Sequence, residues 1–273
     1  MRKSRIPYSG GSAKVDSQPL PNALLDGRIS REWAWEGATG KGIKVGILDS
    51  GVDNGHPAID GRVVDWAAFS TSEKGRLIED FGFHSDNFGH GTACADIIHR
   101  LAPDANLVSI KVLDGESNGS GNAVVAGLRW CIDHGIRVVN ISLGVMRKNF
   151  AMLLYELADK AYFNNVILVT AANNMPIPSY PSLYASVISV ACHDSQGPRE
   201  FYYNPTPPVE FRAPGVNINV AWANKRALTV TGNSFAAPYI TGLVAQIVSK
   251  HPDLVPFQVK TILRATASNV VLD

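Results

Sequence analysis

A chain of 273 residues, 45% hydrophobic and 18% charged, with mean hydropathy near zero, has the make-up of one ordinary globular domain with a substantial core. Its 25 basic and 24 acidic residues leave a formal charge of +1, which excludes a global field suited to nucleic acid or an anionic membrane surface. No stretch approaches the roughly eighteen apolar residues of a membrane span.

The opening Met1–Tyr8 is basic, but Ser9-Gly10-Gly11-Ser12 follows where a signal sequence needs an apolar run, so no secretion signal is read. Cys94, Cys131 and Cys192 show no metal spacing and cannot all pair within one chain. A reduced, cytoplasmic setting fits best, and a secreted protein with one disulfide stays compatible with the count. A monomer with no nucleic-acid partner, no membrane partner, no metal and no cofactor is expected.

Residues 1–25, rich in Ser, Gly, Pro and basic residues, read as an extension, and 26–273 as the folded domain. A short helix at Ser30–Trp35 precedes the turn Gly37–Gly42. The apolar run Ile43–Leu48 then reads as a buried strand ending at Asp49. A helix at His90–Arg100, a strand at Leu107–Leu113, a helix at Ala123–Asp133 and a strand at Val138–Leu143 come next. They are followed by a helix at Phe150–Phe163 and strands at Val166–Thr170, Ala185–Ala191 and Val216–Ala221. Helices at Ser234–Lys250 and Pro256–Ala267, with Pro252 between them, close the chain. Strands alternating with helices predict an α/β fold with a mostly parallel sheet.

Three short segments carry chemistry. Asp49 ends a buried strand, where open α/β sheets collect functional groups, although such an acid equally serves a metal, a ribose or a helix N-terminus. His90, flanked by glycines in Asp86-Asn-Phe-Gly-His90-Gly-Thr, opens a helix whose positive end disfavours a charged ring, as a general base requires; a helix-starting role also accounts for it. Ser234, in Gly232-Asn-Ser234-Phe-Ala-Ala-Pro238, starts a long apolar helix, either as a plain cap or as a nucleophile whose N–H helps hold an oxyanion.

Together, Asp49-Ser-Gly, His90-Gly-Thr and Gly232-Asn-Ser234-Phe-Ala-Ala-Pro238 resemble the three active-site signatures of the subtilase family, in that family's order of Asp, His and Ser. The resemblance runs from about Trp33 to Ala267 and is nearest in character to intracellular subtilisins. It implies a subtilisin-like three-layer fold and a serine endopeptidase acting on peptide or protein substrates, with Asp49, His90 and Ser234 as its triad. It also implies that Ser142, Leu143 and Gly144 line the S1 pocket, that Gly119, Ser120 and Gly121 form the opposite substrate edge, and that Ser179 sits at the pocket floor. Asn174 aligns with the oxyanion-hole Asn. Asn173 stands where the family has Gly, so either of two adjacent Asn side chains is placed to reach the site.

Other departures individualise the chain. Asn233 and Phe235 replace the usual Thr and Met around the nucleophile, and Phe235 is expected to crowd the leaving-group side. Cys94 lies where some members keep a buried Cys beneath the His, with a packing role favoured over a functional thiol. The family's strong calcium site is expected to be absent, because its ligand segment reads His56-Pro57-Ala58 and the helix after His90 runs on uninterrupted. The short Met175–Ser179 loop points to a neutral, apolar P1 residue, and Ala123 to an open S4. No folding prodomain is expected, whereas Arg5-Ile-Pro7-Tyr8 resembles the segment that intracellular members lay across their active site. Ser70–His84 is modestly expanded, too short for the full lid of the family's peptide cyclases. Rival readings are precursor-peptide processing or macrocyclisation, a non-catalytic peptide-binding module, and a metal site from Asp53, His56 and Asp60, whose turn and cap roles explain them better.

Overall fold

The computed structural model describes residues 29–114, 119–194 and 200–270. The extension 1–25, with Arg5–Tyr8, lies outside the described residues. In chain order the elements are α1 (Arg31–Ala34), β1 (Lys44–Asp49), β2 (Val63–Thr71), β3 (Leu77–Asp80), α2 (His90–Leu101) and β4 (Asn106–Lys111). These are followed by α3 (Gly121–Asp133), β5 (Val138–Ile141), α4 (Ala151–Phe163), β6 (Ile167–Ala171), β7 (Ile188–His193), β8 (Tyr202–Tyr203) and β9 (Phe211–Pro214). The series ends with β10 (Ile218–Trp222), β11 (Arg226–Val230), α5 (Asn233–Lys250) and α6 (Pro256–Thr266).

The main sheet has 9 strands in the order β3-β2-β4-β1-β5-β6-β7-β9-β8. All neighbours from β2 to β9 pair in parallel, while β3 and β8 pair antiparallel at the two edges. Helices cover both faces. Val45 and Ile47 of β1 join α2, α5 and α6 in one core, whereas Leu48 joins α3 and α4 in another. This is why β1 reads as an unbroken apolar run: a parallel strand buried on both faces has no solvent side to mark with polar residues. Asp49 is its last residue, fully buried at the carboxyl edge of the sheet.

The α/β class and three layers are as expected, and most predicted elements recur with ends shifted by no more than three residues. The hairpin of β2 and β3, the edge strand β8 with its neighbour β9, and β11 are not among the predicted elements. All four residues of β3 are exposed, so no buried face generates an alternating pattern. Aromatic pairs pin the segment beyond it, Phe81 against Phe69 and Phe83 against Trp66. The expanded 70–84 stretch is therefore largely this hairpin and its return. The β10–β11 ribbon is tied to α2, where the buried Asp96 carboxylate accepts the Ala221 N–H at 2.7 Å.

Candidate active site

His90 is the first residue of α2 and reaches back to the end of β1. Its Nδ1 lies 2.8 and 2.9 Å from the two Asp49 carboxylate oxygens. A carboxylate only accepts, so Nδ1 carries the hydrogen and Nε2 is left for the cleft. Burial is the largest single influence and works against the charged imidazolium, but the Asp49 charge, the Cys94 sulfur and the hydrogen bonds to both together outweigh it and raise the His90 pKa well above the ordinary histidine value. The charge of Asp49 is the largest of the contributions that raise it.

Two glycines make this approach possible. Gly89 caps the helix at φ 117°, a left-handed conformation that favours glycine, and a Cβ there would lie 2.6 Å from the Ala223 nitrogen. At Gly91 a Cβ would overlap the Gly51 carbonyl oxygen. Asp86, buried beneath the turn, accepts from the Ser50 hydroxyl, the Phe88 and Gly89 N–H groups, and both the N–H and hydroxyl of Thr92, at 2.7 to 3.0 Å. The Ser50 hydroxyl in turn accepts the Gly91 N–H at 3.0 Å. One carboxylate thus organises the loop that aims His90, a role that the segment Asp86-Asn-Phe-Gly signals only through its turn-forming residues.

Ser234 is the second residue of α5, so its N–H belongs to the helix's unpaired first turn. Pro238 lies four residues on, where a helical N–H would bond the Ser234 carbonyl, and proline has none. That carbonyl instead accepts the Ser142 hydroxyl at 2.7 Å, with the Cys94 sulfur at 3.6 Å. Ser142 is itself fed by Asn140 at 2.9 Å, and Asn140 accepts from the Thr241 hydroxyl at 3.0 Å, in a fully interior polar chain. Cys94 is buried between Ser234 and Asp49, its sulfur 3.9 Å from Asp49 Oδ2, and burial pushes its thiol pKa up. It packs beneath the site, as the sequence reading favours.

The paired Asn residues are now distinguished. Asn173 Oδ1 accepts the Met175 N–H and so serves its own loop. Asn174 Oδ1 accepts the Asn233 N–H at 2.9 Å, which orients the Asn174 amide beside the nucleophile. Asn174, His90 and Ser234 share a cleft of about 450 Å³ with Ser142, Leu143, Gly144 and Ser179. Ser179 is buried against Gly144, where any Cβ would lie 2.8 Å from it. Val145 and Tyr180 hold this corner as a two-way backbone bridge at 2.9 and 3.0 Å.

An adjoining cavity of about 930 Å³ contains Gly119, Ser120 and Gly121 on one side and Leu143 and Gly144 on the other, so the two expected substrate edges do face a common space. Ser120 is also the cap of α3, its hydroxyl accepting the Ala123 N–H at 3.1 Å. Phe235 is buried with Ala93, Ile97 and Val220, its ring 5.1 Å from that of His90. Asp53 and His56 are committed to turns, through the Gly55 N–H and the Ala58 N–H respectively. Among the described residues the close cluster of potential metal ligands is Asp49, His90 and Cys94, whose ligand atoms are engaged with one another by hydrogen bonds.

Known proteins resemble most of the chain. The model of the subtilase family matches residues 40–272. Subtilisin DY of Bacillus licheniformis is 33% identical over 250 residues, covering 86% of this chain and 87% of that protein. The major intracellular serine protease of Bacillus subtilis is 32% identical over 258 residues, covering 89% and 80%. A thermostable alkaline protease of Halalkalibacterium halodurans is 33% identical over 244 residues, covering 85% of this chain and 64% of its own length. Among solved structures, a cold-adapted subtilisin-like serine proteinase superposes with a TM-score of 0.69 at 25% identity, over 85% of this chain and 86% of the other. With an α/β sheet of subtilisin type, an Asp–His pair beside a helix-borne serine, and this match along its length, the chain belongs to the subtilase family and is a serine endopeptidase.

Proposed function

We propose that hydrolysis proceeds through an acyl-enzyme on Ser234, with His90 as general base and Asp49 holding the imidazole. The observation that carries this reading is the Asp49–His90 hydrogen bond at 2.8 Å, in a cleft that also contains Ser234. His90 Nε2 takes the Ser234 proton as Oγ attacks the scissile carbonyl, then returns it to the leaving amine. Asp49 compensates the imidazolium formed between those steps. The Asn174 amide and the Ser234 N–H receive the oxyanion, and a water repeats the sequence on the ester. Substrate is held between Gly119–Gly121 and Ser142–Gly144 by main-chain hydrogen bonds, with Ser179 closing the S1 floor. No Asp, Glu, Lys or Arg is among the described residues lining the smaller cleft, which supports a neutral P1 residue.

The test is a fluorophosphonate probe applied to the wild type and to Ser234→Ala. Labelling of the wild type alone is expected; labelling of both, or of neither, overturns the assignment.

We further propose that 26–273 form one peptidase domain, monomeric and cytoplasmic, and that 1–25 are an extension. Family membership, a main sheet of 9 strands drawn from β1 to β9 and likeness to an intracellular relative support this; among the described residues no helix is long and apolar enough to cross a membrane. A second reading, maturation of a dedicated precursor peptide, is favoured by the β2–β3 hairpin, which adds Ile78 and Asp80 to the wall of the larger cavity. Mass spectrometry of products distinguishes hydrolysis from cyclisation, because a macrocycle lacks the mass of one water relative to the linear product.

A further inference from the structure

The residue before the nucleophile has a side chain that the mechanism above does not use. Asn233 is buried, and its amide nitrogen donates to the carbonyls of both Ala172 and Asn173, each at 3.1 Å. Its amide oxygen accepts the N–H of Cys192 on β7 at 2.8 Å, and its own backbone N–H goes to Asn174 Oδ1 at 2.9 Å. Four bonds from one residue therefore join the start of α5, the segment leaving β6 and strand β7.

We infer that Asn233 is a positioning residue for the oxyanion hole, clamping the 172–174 segment so that the Asn174 amide and the Ser234 N–H converge on one point. The inference rests on the proposed oxyanion role of Asn174. Its logic follows from what an Asn side chain can do on its own. An amide rotates about its last bond and presents oxygen and nitrogen to opposite sides, so one hydrogen bond to its oxygen selects the face offered by the nitrogen. The Asn233 N–H supplies that bond to Asn174. Rotation alone is insufficient, because the backbone from which Asn174 projects follows the end of β6 without a ladder partner of its own at 173 and 174. The two donations from the Asn233 amide hold this backbone through the carbonyls immediately before Asn174. The bond to Cys192 stops the Asn233 amide from turning over, since a flipped amide would set its NH₂ against the Cys192 N–H and its oxygen against two carbonyls. Asn233 and Ser234 are consecutive, so a change at either element is transmitted to the nucleophile without an intermediate.

The arrangement requires one acceptor and two donors on a single short side chain. Alanine has neither, and threonine has one hydroxyl hydrogen and cannot serve both carbonyls.

The experiment measures kcat, KM and affinity for a peptide boronate in the wild type, Asn174→Ala, Asn233→Ala, Asn233→Thr and the two double variants with Asn174→Ala. A boronate forms a tetrahedral adduct on the serine and reports on the oxyanion hole. Asn233→Ala is expected to lower kcat by roughly 10-fold to 10²-fold, the scale of a catalytic group displaced by about 1 Å, with KM within about twofold. Boronate affinity is expected to fall in proportion to kcat. In the Asn174→Ala background the same change is expected to cost less than about threefold, because the group being positioned is gone. Asn233→Thr carries the same expectations and keeps the test alive should Asn233→Ala not fold. Unchanged kcat in a folded Asn233 variant, or an equal fold-loss with and without Asn174, overturns the inference. If Asn174→Ala alone leaves kcat unchanged, the oxyanion role of Asn174 fails instead, and the inference falls with it.

Discussion

Pro238 denies the Ser234 carbonyl its helical partner, and the Ser142 hydroxyl takes that place at 2.7 Å. The nucleophile's own backbone is thus held from β5, across the sheet edge, instead of from its helix. Ser142→Ala leaves this carbonyl with only the weak Cys94 S–H and strands the Asn140 amide. A stability loss of about 1–3 kcal/mol is expected, the cost of buried polar groups losing a partner. Urea unfolding checks it, as a lower midpoint with an unchanged slope.

Asp49→Asn should lower kcat/KM by about 10⁴-fold while leaving the fold intact, since an amide neither compensates the imidazolium nor secures the productive tautomer. In the wild type, His90 must be neutral to act as base. Its raised pKa therefore places the acid limb of the kcat/KM profile above the ordinary imidazole value of about 6.5. Removing the Asp49 charge takes away the largest contribution to the rise, so the residual activity of Asp49→Asn should have its acid limb at lower pH. A limb that stays in place in the variant counts against Asp49 as the cause.

The same pair affects stability with a definite sign. A base whose folded pKa is raised stabilises the protein fully below its unfolded pKa, and that contribution is lost as pH rises through the folded value. The stability lost in Asp49→Asn relative to wild type is therefore expected to be larger near about pH 6 than at alkaline pH beyond the His90 titration. Denaturant melts of both proteins at the two pH values check this, and an equal difference would contradict it.

Gly91→Ala forces a methyl group into the Gly51 carbonyl. Both backbones are fixed, one by α2 and the other by the turn after β1, so the ring of His90 should shift. A stability loss of about 1–3 kcal/mol and a fall in kcat of about 10²-fold are expected. Steady-state kinetics on the folded variant measures the second directly.

All three cysteines are free, with Cys94 and Cys131 buried and Cys192 partly exposed. Burial raises the pKa of both buried thiols, which lowers their reactive thiolate fraction at neutral pH. Ellman's reagent should titrate Cys192 first in the native protein and reach the other two only after unfolding. Rapid modification of Cys94 in the folded state would mean that the space beneath the site opens readily.

Much of the fold and centre is legible in the linear chain because the signals are local. Val45–Leu48 is apolar without alternation, as a strand covered on both faces must be, and Asp49 follows directly. Glycines mark His90, and a helix start marks Ser234. The β2–β3 hairpin is not legible in this way, since β3 faces solvent throughout and its pairing depends on the turn between the strands.

The α/β alternation, the three chemical residue types and their order are readable from the linear chain, since periodicity and backbone punctuation act between near neighbours. What holds those residues in place comes from contacts between segments far apart in the chain. Asp49 meets His90 from 41 residues away, and Ser142 meets Ser234 from 92. Asn233 reaches back 61 residues to a carbonyl, and every residue but proline's imino nitrogen offers the same backbone groups, so no side-chain pattern announces which one is chosen. Phe235 shows the same limit: its size is legible, but its place against the His90 ring depends on the space left by β10 and α2.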